Sequence, residues 1–380
     1  MIHTKTMAMW ALVACFAHAP AQETRPADAP KDENPAAENA DTLASEDDIY
    51  EATDVDDAVN YVISAALDCE PKICIRLPQK AGATEAKKII NELGEYRLAR
   101  NYSYMSIKEG KRIRLEIKPK YSSCVRMIHS LHNPGVIKLT PKEQEALDKA
   151  RSVLNSLNLT SLDNTGKAQR IHDWIVQNCS YDMAGLRKGF SYYKKGEEYN
   201  PYDGKYMILE NKGVCDSYAQ AYWLMLQMVG VPSCMIMGTA KGAKHAWNLV
   251  YMDDHWAHVD VTWDDPYSTK GEFMRNTYFD KTNKEMSKTH RWKKDHLSAE
   301  HKVLEYKTVK EFIAFLKKER KKAASYTVII EEAKDCEKLT ALATEEAEKA
   351  GLRVRLVAKA DVFFPGAQRV RLLKPIANRK

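Results

Sequence analysis

The sequence has little of what marks specialised protein classes. Its 16 glycines in 380 residues are far fewer than the third of all residues found in collagen-like chains. No apolar run approaches the roughly 20 residues that a membrane-crossing helix needs. Eight cysteines are too few for a disulfide scaffold. The remaining composition, 44% hydrophobic and 29% charged, is that of a globular protein long enough for two or three domains.

The sequence also lacks the short motifs of common cofactor sites. Its outer segments contain no glycine-rich phosphate loop and no metal-like spacing of histidine and cysteine, and we find no calcium loop or zinc spacing. We therefore expect no metal, no other cofactor and no nucleic-acid partner.

The N-terminus has the layout of an export signal. Lys5 precedes the uncharged residues 8–17, and small residues follow at 19–21, which predicts a signal peptide over 1–21 that is cleaved after Ala21. As an alternative, residues 12–15 resemble a lipobox, in which case Cys15 would be lipidated and anchor the protein. The sequence thus predicts a periplasmic or secreted protein, or an exported lipoprotein.

Charge is distributed unevenly along the chain. Residues 22–57 carry 13 acidic and two basic residues, a net of −11, whereas residues 58–380 carry a net of +16. We predict a disordered, acidic, Pro/Ala-rich linker over 22–47. The basic remainder favours anionic partners such as cell-wall polymers, but we prefer the simpler explanation that it is a solvated basic surface.

Two outer segments share one pattern. Residues 48–135 and 305–380 each predict helix, strand, helix, strand and strand, and their last strands have similar sequences at 112–119 and 369–375. They are either two copies of a small α/β module or independent segments with convergent patterning. The segment between them, 140–300, is the predicted catalytic core, with helices at 141–157 and 165–178 and a loop at 192–212.

A helix with a cysteine at its start carries the strongest chemical signal. The segment from Gly213 predicts a turn that opens into a helix, which Gly230 and Pro232 end. Cys215 then lies in the first turn, where unpaired N–H groups and the helix dipole stabilise a thiolate. A lone cysteine at this position is also compatible with a buried structural role, so the residues that follow decide between the two.

Those residues predict three strands, at 233–238, 245–251 and 256–262. A loop at 240–244 joins the first two strands, and a turn at 253–254 joins the last two. If Met252 pairs with His255, the antiparallel register makes His245 and Asp260 diagonal neighbours on one sheet face. A cysteine at a helix start, a histidine and a carboxylate form the arrangement of nucleophile, base and orienting group. His255, His258 and His172 are poorer candidates for the base.

Three runs of the sequence carry a family resemblance: GVCDSYA at 213–219, HAWN at 245–248 and VDVTWDDP at 259–266. In these runs the chain resembles the transglutaminase-like superfamily, a papain-like cysteine fold used by transglutaminases, peptide N-glycanases and many bacterial proteases. Flanking runs resemble exported bacterial members: IHDWI at 171–175, YD at 181–182, YFD at 278–280 and MSKTH at 286–290. The resemblance covers about 157–292. It implies Cys215 as nucleophile, His245 as base and Asp260 as orienting group, the same assignment that the spacing gives.

The resemblance also implies an α+β fold, in which a helix bearing the cysteine packs on an antiparallel sheet bearing the histidine and aspartate, flanked here by the two α/β modules. An oxyanion hole would combine the Cys215 N–H with an upstream side-chain donor, for which Tyr206 is the nearest positional match. Trp247, Asn248 and Trp263 are predicted to wall or brace the site, with ordinary packing as the alternative.

The predicted reaction is attack on an amide carbonyl to form a thioester. Transfer to water would make the protein a protease or amidase acting on protein or peptide substrates, including cell-wall peptides, and we favour this because bacterial members are more often assigned as protease-like. Transfer to a lysine amine would make it a cross-linking transglutaminase. A non-catalytic binding scaffold of the cell envelope is the remaining alternative.

Cysteine number adds one expectation. If Cys15 leaves with the signal peptide, seven cysteines remain in an oxidising compartment, and an odd number leaves one thiol free. We expect that thiol to be Cys215. The other six either pair, Cys69 with Cys74 being the closest in sequence, or remain buried thiols.

Overall fold

The computed structural model describes residues 49–78, 81–95, 98–190, 192–195, 199–253, 255–265, 276–292, 304–319, 325–352, 355–360 and 367–373. The predicted signal peptide, Cys15 and the predicted linker at 22–47 lie outside them. Within the described part, helices pack on three four-stranded sheets, so the fold class is α+β as predicted. None of the helices in these residues is long and apolar enough to cross a membrane.

The first sheet follows the predicted pattern with one short strand added in front. Its elements are β1 Tyr50–Glu51, α1 Val55–Leu67, β2 Ile73–Arg76, α2 Ala83–Glu95, β3 Ala99–Glu109 and β4 Arg112–Tyr121, followed by α3 Ser123–His132. The strand order is β1-β2-β4-β3. Asp54 caps α1 by accepting a hydrogen bond from the Asp57 N–H at 2.8 Å.

The last sheet repeats this topology. Its elements are β11 Leu304–Tyr306, α11 Val309–Lys318, β12 Ser325–Ile330, α12 Cys336–Lys349, β13 Arg355–Ala360 and β14 Gln368–Leu373. The strand order β11-β12-β14-β13 matches that of the first sheet strand for strand, and in both sheets the first pair is parallel. This is the relationship that the repeat hypothesis predicts.

The central region places the cysteine helix against an antiparallel sheet. Its elements are α4 Pro141–Ser156, α5 Asn164–Asn178, β5 Ser180–Tyr181, α6 Met183–Lys188, α7 Gly204–Glu210, β6 Lys212–Gly213, α8 Cys215–Met228, β7 Ser233–Ala240, β8 Ala243–Met252, β9 His255–Val259, α9 Val261–Asp264, α10 Asn283–Met286 and β10 His290–Trp292. The strand order is β10-β7-β8-β9. Nearly every residue of α8 is buried, which makes this helix the centre of the core.

Three local predictions differ from the structure. The predicted loop at 192–212 contains helix α7, because Asp203 caps the helix start and its apolar residues pack under α8. The predicted loop at 240–244 is a two-residue turn at Lys241 and Gly242, whose positive φ angles of 47° and 84° suit a tight hairpin. The predicted strand at 256–262 ends at Val259, where α9 begins.

The first sheet and the central region share one hydrophobic cluster, whereas the last sheet has its own. Helix α3 joins the first two parts, and the Cys124 thiol donates to the carbonyl oxygen of Gln220 on α8 at 3.3 Å. The predicted domain boundaries at 48–135, 140–300 and 305–380 stay predictions, since the shared hydrophobic cluster crosses the boundary between 48–135 and 140–300.

A buried ion cluster joins the last sheet to the first. Arg369 and Arg371 on β14 both pair with Asp68 at the end of α1, the Arg371 Nε–Asp68 Oδ2 distance being 3.1 Å. Arg371 also pairs with Glu70 and lies over the Tyr61 ring. Because both arginines and Asp68 are buried, this cluster holds the last sheet on the N-terminal module.

Candidate active site

Cys215 is the first residue of α8, as predicted, and is half-buried. Gly213, two residues before it, leaves room for the Ser217 hydroxyl, with which a Cβ at this position would collide. That hydroxyl accepts a hydrogen bond from the Val214 N–H at 3.0 Å and so fixes the turn into the helix. The sulfur therefore lies at a helix N-terminus, where the dipole favours negative charge.

His245 lies on β8 opposite Gly238 of β7. A side chain at Gly238 would strike the Trp247 ring and the carbonyl oxygen of Arg291, so the glycine leaves room for the indole beside the histidine. The His245 ring is almost fully buried and lies close enough to the Cys215 side chain for that side chain to raise its pKa. The predicted proximity of base and nucleophile is present in the structure.

Asp260 follows directly after β9 and caps α9. Its Oδ2 lies 2.8 Å from His245 Nε2 and 3.1 Å from His290 Nε2, and its Oδ1 accepts from the Trp263 N–H at 3.2 Å. The carboxylate is completely buried. The predicted contact between His245 and Asp260 therefore forms, although Asp260 reaches it from a helix cap rather than from a paired strand.

The electrostatics of this pair favour two charges. Burial lowers the pKa of His245, but the charge and hydrogen bond of Asp260, together with the Cys215 contact, outweigh it and raise that pKa to about 10. Burial raises the pKa of Asp260, but the two histidines lower it to about 2. At neutral pH the pair is an imidazolium and a carboxylate, and a positive ring next to the sulfur stabilises a thiolate.

Tyr181 on β5 is the other side chain that lies close to Cys215. Burial raises the pKa of its hydroxyl well above the usual range, negative charge on Cys215 raises it further, and the nearby Cys215 backbone N–H opposes that rise. The ring lies 6.1 Å from that of Tyr218, whose hydroxyl bonds Asp265. A hydroxyl next to the Cys215 N–H is well placed to bind an oxygen that this amide also binds.

Tyr206 has a different environment. Its ring is buried and packs edge-on against Tyr199 at 5.8 Å, with the ammonium groups of Lys142 and Lys205 at 5.5 and 4.9 Å from its centroid. Its predicted role as an oxyanion donor stays a prediction.

Trp247 and Trp263 line the histidine. Their rings lie 6.0 and 5.5 Å from that of His245. Trp247 Nε1–H donates to His258 Nδ1 at 2.9 Å, so its donor is directed away from Cys215. The buried Asn248 donates to the carbonyl oxygen of Ala219 on α8 at 3.0 Å, which braces helix against sheet.

The other candidate histidines form separate pairs. His258, whose pKa burial lowers to about 4, lies between Trp247 and Asn283 Oδ1. His255 pairs with Asp280 at the surface, 2.9 Å away. His172 is buried against Asp264, with Nε2 and Oδ2 3.1 Å apart.

Sequence reasoning assigned no role to His290 or Tyr181. Both belong to flanking runs that resemble exported bacterial proteins, and that resemblance was the only available signal. The elements β10 and β5 that carry them are only three and two residues long, too short for periodicity to predict.

The nitrogens of His245 and His290 and an oxygen of Asp260 lie within 4.8 Å of one another, a group that could hold a metal ion. Both imidazole nitrogens, however, are already at hydrogen-bond distance from one carboxylate oxygen. We therefore interpret this group as a hydrogen-bond network. None of the seven described cysteines is in a disulfide, so the suggested pair of Cys69 and Cys74 does not form.

Comparison with known proteins finds a family match in the central region. Residues 151–261 match the transglutaminase-like superfamily. Kyphoscoliosis peptidase of Homo sapiens is 27% identical over 129 residues, which are 30% of this chain, and the chain spans only 18% of that relative.

Two solved structures align more weakly. The structure of a TGase aligns with a TM-score of 0.30 and 14% identity over 62% of this chain and 59% of its own. A candidate cysteine protease from Cytophaga hutchinsonii aligns with a TM-score of 0.25 and 15% identity over 43% and 62%. At these values neither structure supports the assignment of a reaction.

Proposed function

From the transglutaminase-like domain at residues 151–261, we propose that this protein is a cysteine-nucleophile hydrolase that cleaves peptide or amide bonds. Cys215 is the nucleophile, His245 the base and acid, and Asp260 the orienting carboxylate. Because residues 1–21 are predicted to direct export, the proposed substrates are proteins or wall peptides outside the cytoplasm.

The observation that carries this proposal is the sequence of contacts from a thiol at a helix start, through a buried histidine, to a buried carboxylate. His245 Nε2 is held by Asp260 at 2.8 Å, so the other ring nitrogen, Nδ1, is the one available to Cys215. A purely structural cysteine needs neither the helix N-terminus nor a charged imidazole beside it.

The chemistry follows from these contacts. The Cys215 thiolate attacks the amide carbonyl carbon and forms a C–S bond. His245 gives its proton to the leaving nitrogen as the C–N bond breaks, which leaves a thioester. His245 then removes a proton from the attacking water, the C–S bond breaks, and a carboxylic acid leaves. Asp260 keeps the ring oriented through both steps.

The oxygen of the tetrahedral intermediate needs donors during the attack. We assign one to the Cys215 N–H and the second to the Tyr181 hydroxyl, which lies beside that amide and can donate its own O–H to the same oxygen. We propose Tyr181 for this role in preference to Tyr206, because it is Tyr181 whose hydroxyl lies at the Cys215 backbone.

The experiment is a comparison of the full-length protein with Cys215→Ala on an unfolded casein substrate, with and without a labelled primary amine. Hydrolysis predicts new peptide termini by mass spectrometry and no incorporated amine, both dependent on Cys215. Incorporation of the amine that is lost in Cys215→Ala would replace the hydrolase with a cross-linking transglutaminase.

A matched control separates chemistry from folding. Cys336→Ala removes another half-buried cysteine that is not in a disulfide, far along the chain on α12, and should leave activity unchanged. If wild-type Cys215 reacts with iodoacetamide no faster than Cys336 does, the proposed enzyme is refuted and a binding scaffold is favoured.

A further inference from the structure

We propose that His290 is a positioning residue of this site, holding the Asp260 carboxylate through the same oxygen that His245 uses. The proposal rests on the proposed function, because it concerns how Asp260 orients the base. His290 belongs to β10, a strand outside the segment 151–261 that matches the superfamily.

The sheet register brings the two histidines together. His245 pairs with Gly238 and His290 with Ala240, two positions apart on the intervening strand β7. Residues two apart on a strand share a face, so both imidazoles are on the same face of the sheet. Asp260 joins them from the end of β9, and its Oδ2 lies 2.8 and 3.1 Å from their Nε2 atoms.

Both ring nitrogens of His290 have partners. Its Nδ1 lies 2.8 Å from the Thr289 hydroxyl and its Nε2 lies 3.1 Å from Asp260 Oδ2. Because an ionised carboxylate can only accept, Nε2 is the donor of the second bond. His290 thereby supplies Asp260 with a donor besides His245, and the Thr289 contact holds the ring that carries it.

Three donors therefore surround one fully buried carboxylate: His245 from β8, His290 from β10 and the Trp263 N–H of α9. A carboxylate without water is costly to ionise unless such donors replace its hydration. Removing His290 leaves Oδ2 with His245 alone. Asp260 then takes up a proton at higher pH, and His245 loses its orienting anion there.

Packing is the rival explanation, since the His290 ring is fully buried and lies 4.8 Å from Trp247 and 4.6 Å from Trp263. The test must therefore keep the ring and remove the donor, or keep the donor and remove the ring. Other titratable groups around the network stay constant in such variants: Cys215 on α8, Asp264 on α9, Tyr278, His258 on β9, and Lys241, whose ammonium lies over Trp263.

The experiment measures the rate of Cys215 alkylation by iodoacetamide against pH in the full chain, with kcat and KM where turnover is found. In His290→Phe, which keeps an aromatic ring, the acidic limb of the profile should move upward by about one to two pH units, and kcat should fall with little change in KM. His290→Gln restores an amide donor and should return the limb towards wild type. Thr289→Val keeps His290 and should shift the limb less.

The outcomes separate the two proposals. If Cys215 of the wild type shows no enhanced reactivity over Cys336, the proposed function fails and the role of His290 fails with it. If Cys215 is reactive but the profiles of His290→Phe and Thr289→Val overlay the wild type, only the role of His290 is refuted. If kcat falls equally in His290→Phe and His290→Gln and the acidic limb of the pH profile does not move, His290 has only a packing role.

Discussion

Asp260→Asn is expected to remove most of the charge on His245 at neutral pH. The ordinary pKa of histidine, 6.5, and the value of about 10 in this site differ by roughly 3.5 units, or about 5 kcal/mol at 1.36 kcal/mol per unit. That figure lies at the upper end of the 3 to 5 kcal/mol typical for breaking a buried ion pair. In this variant burial still lowers the pKa of His245 and only the Cys215 contact is left to raise it, so the ring should become mostly neutral at pH 7.

The expected consequence is a loss of about 10²- to 10⁴-fold in kcat/KM at pH 7, because the ring loses both its charge and its orientation. Alkylation of Cys215 measured from about pH 4 to pH 10, with peptide mapping, checks the charge directly. Wild-type Cys215 should react well into the acidic range. In Asp260→Asn, the reactivity of Cys215 should appear only as the pH approaches the pKa of an ordinary thiol.

Two further His–Asp pairs provide matched controls. Asp264→Asn breaks the equally buried contact to His172 at 3.1 Å, and should lower stability while leaving the Cys215 profile in place. Asp280→Asn breaks the exposed contact to His255 at 2.9 Å, and should change neither. The reasoning is wrong if the Asp260→Asn profile overlays the wild type, or if Asp264→Asn shifts the profile equally.

Four other outcomes are expected. Tyr181→Phe should lower kcat about 10²-fold with KM little changed, because one oxyanion donor is lost. Arg371→Met should lower the free energy of unfolding by about 3 to 5 kcal/mol in urea, because it leaves charge on Asp68 with one partner fewer. The stability contributed by the His245–Asp260 pair should be greatest between about pH 4 and 6.5: the His245 share is lost as pH rises from 6.5 to about 10, and the Asp260 share as pH falls from 3.8 to about 2. Treatment with EDTA should leave activity unchanged.

Each of these outcomes has its own control. Tyr206→Phe should retain activity if Tyr181 is the donor, and equal losses in both variants would contradict that assignment. Arg151→Met breaks an exposed pair with Asp148 and should cost under 1 kcal/mol, so an equal cost at Arg371 would argue against a buried clamp. For the pH dependence, the melting temperatures of wild type and the His245→Gln/Asp260→Asn variant should converge towards both extremes. If EDTA abolishes activity and zinc restores it, His245, Asp260 and His290 form a metal site rather than a hydrogen-bond network.

Local pattern was sufficient for much of the fold. Helices α4, α5 and α8 and the hairpin of β8 and β9 lie where apolar periodicity places them. So do the helices and strands predicted for the outer modules, to which the structure adds the short strands β1 and β11. Local pattern did not predict α7. The sequence around this seven-residue helix is rich in Tyr, Asn and Lys, which is typical of a loop, and the helix depends on the Asp203 cap and on packing under α8. The predicted placement of Cys215 at a helix start needed nothing beyond the sequence.

The sequence by itself thus determined the cysteine at its helix N-terminus, the histidine strand and the nearby aspartate, because these depend on local periodicity and a hairpin register. Tertiary structure alone decided that Asp260 acts from a helix cap, that His290 shares its oxygen and that Tyr181 lies at the Cys215 amide. Those contacts join elements that are distant in sequence or only a few residues long. Their hydrogen-bond partners are set by three-dimensional packing and leave no periodic trace in the chain.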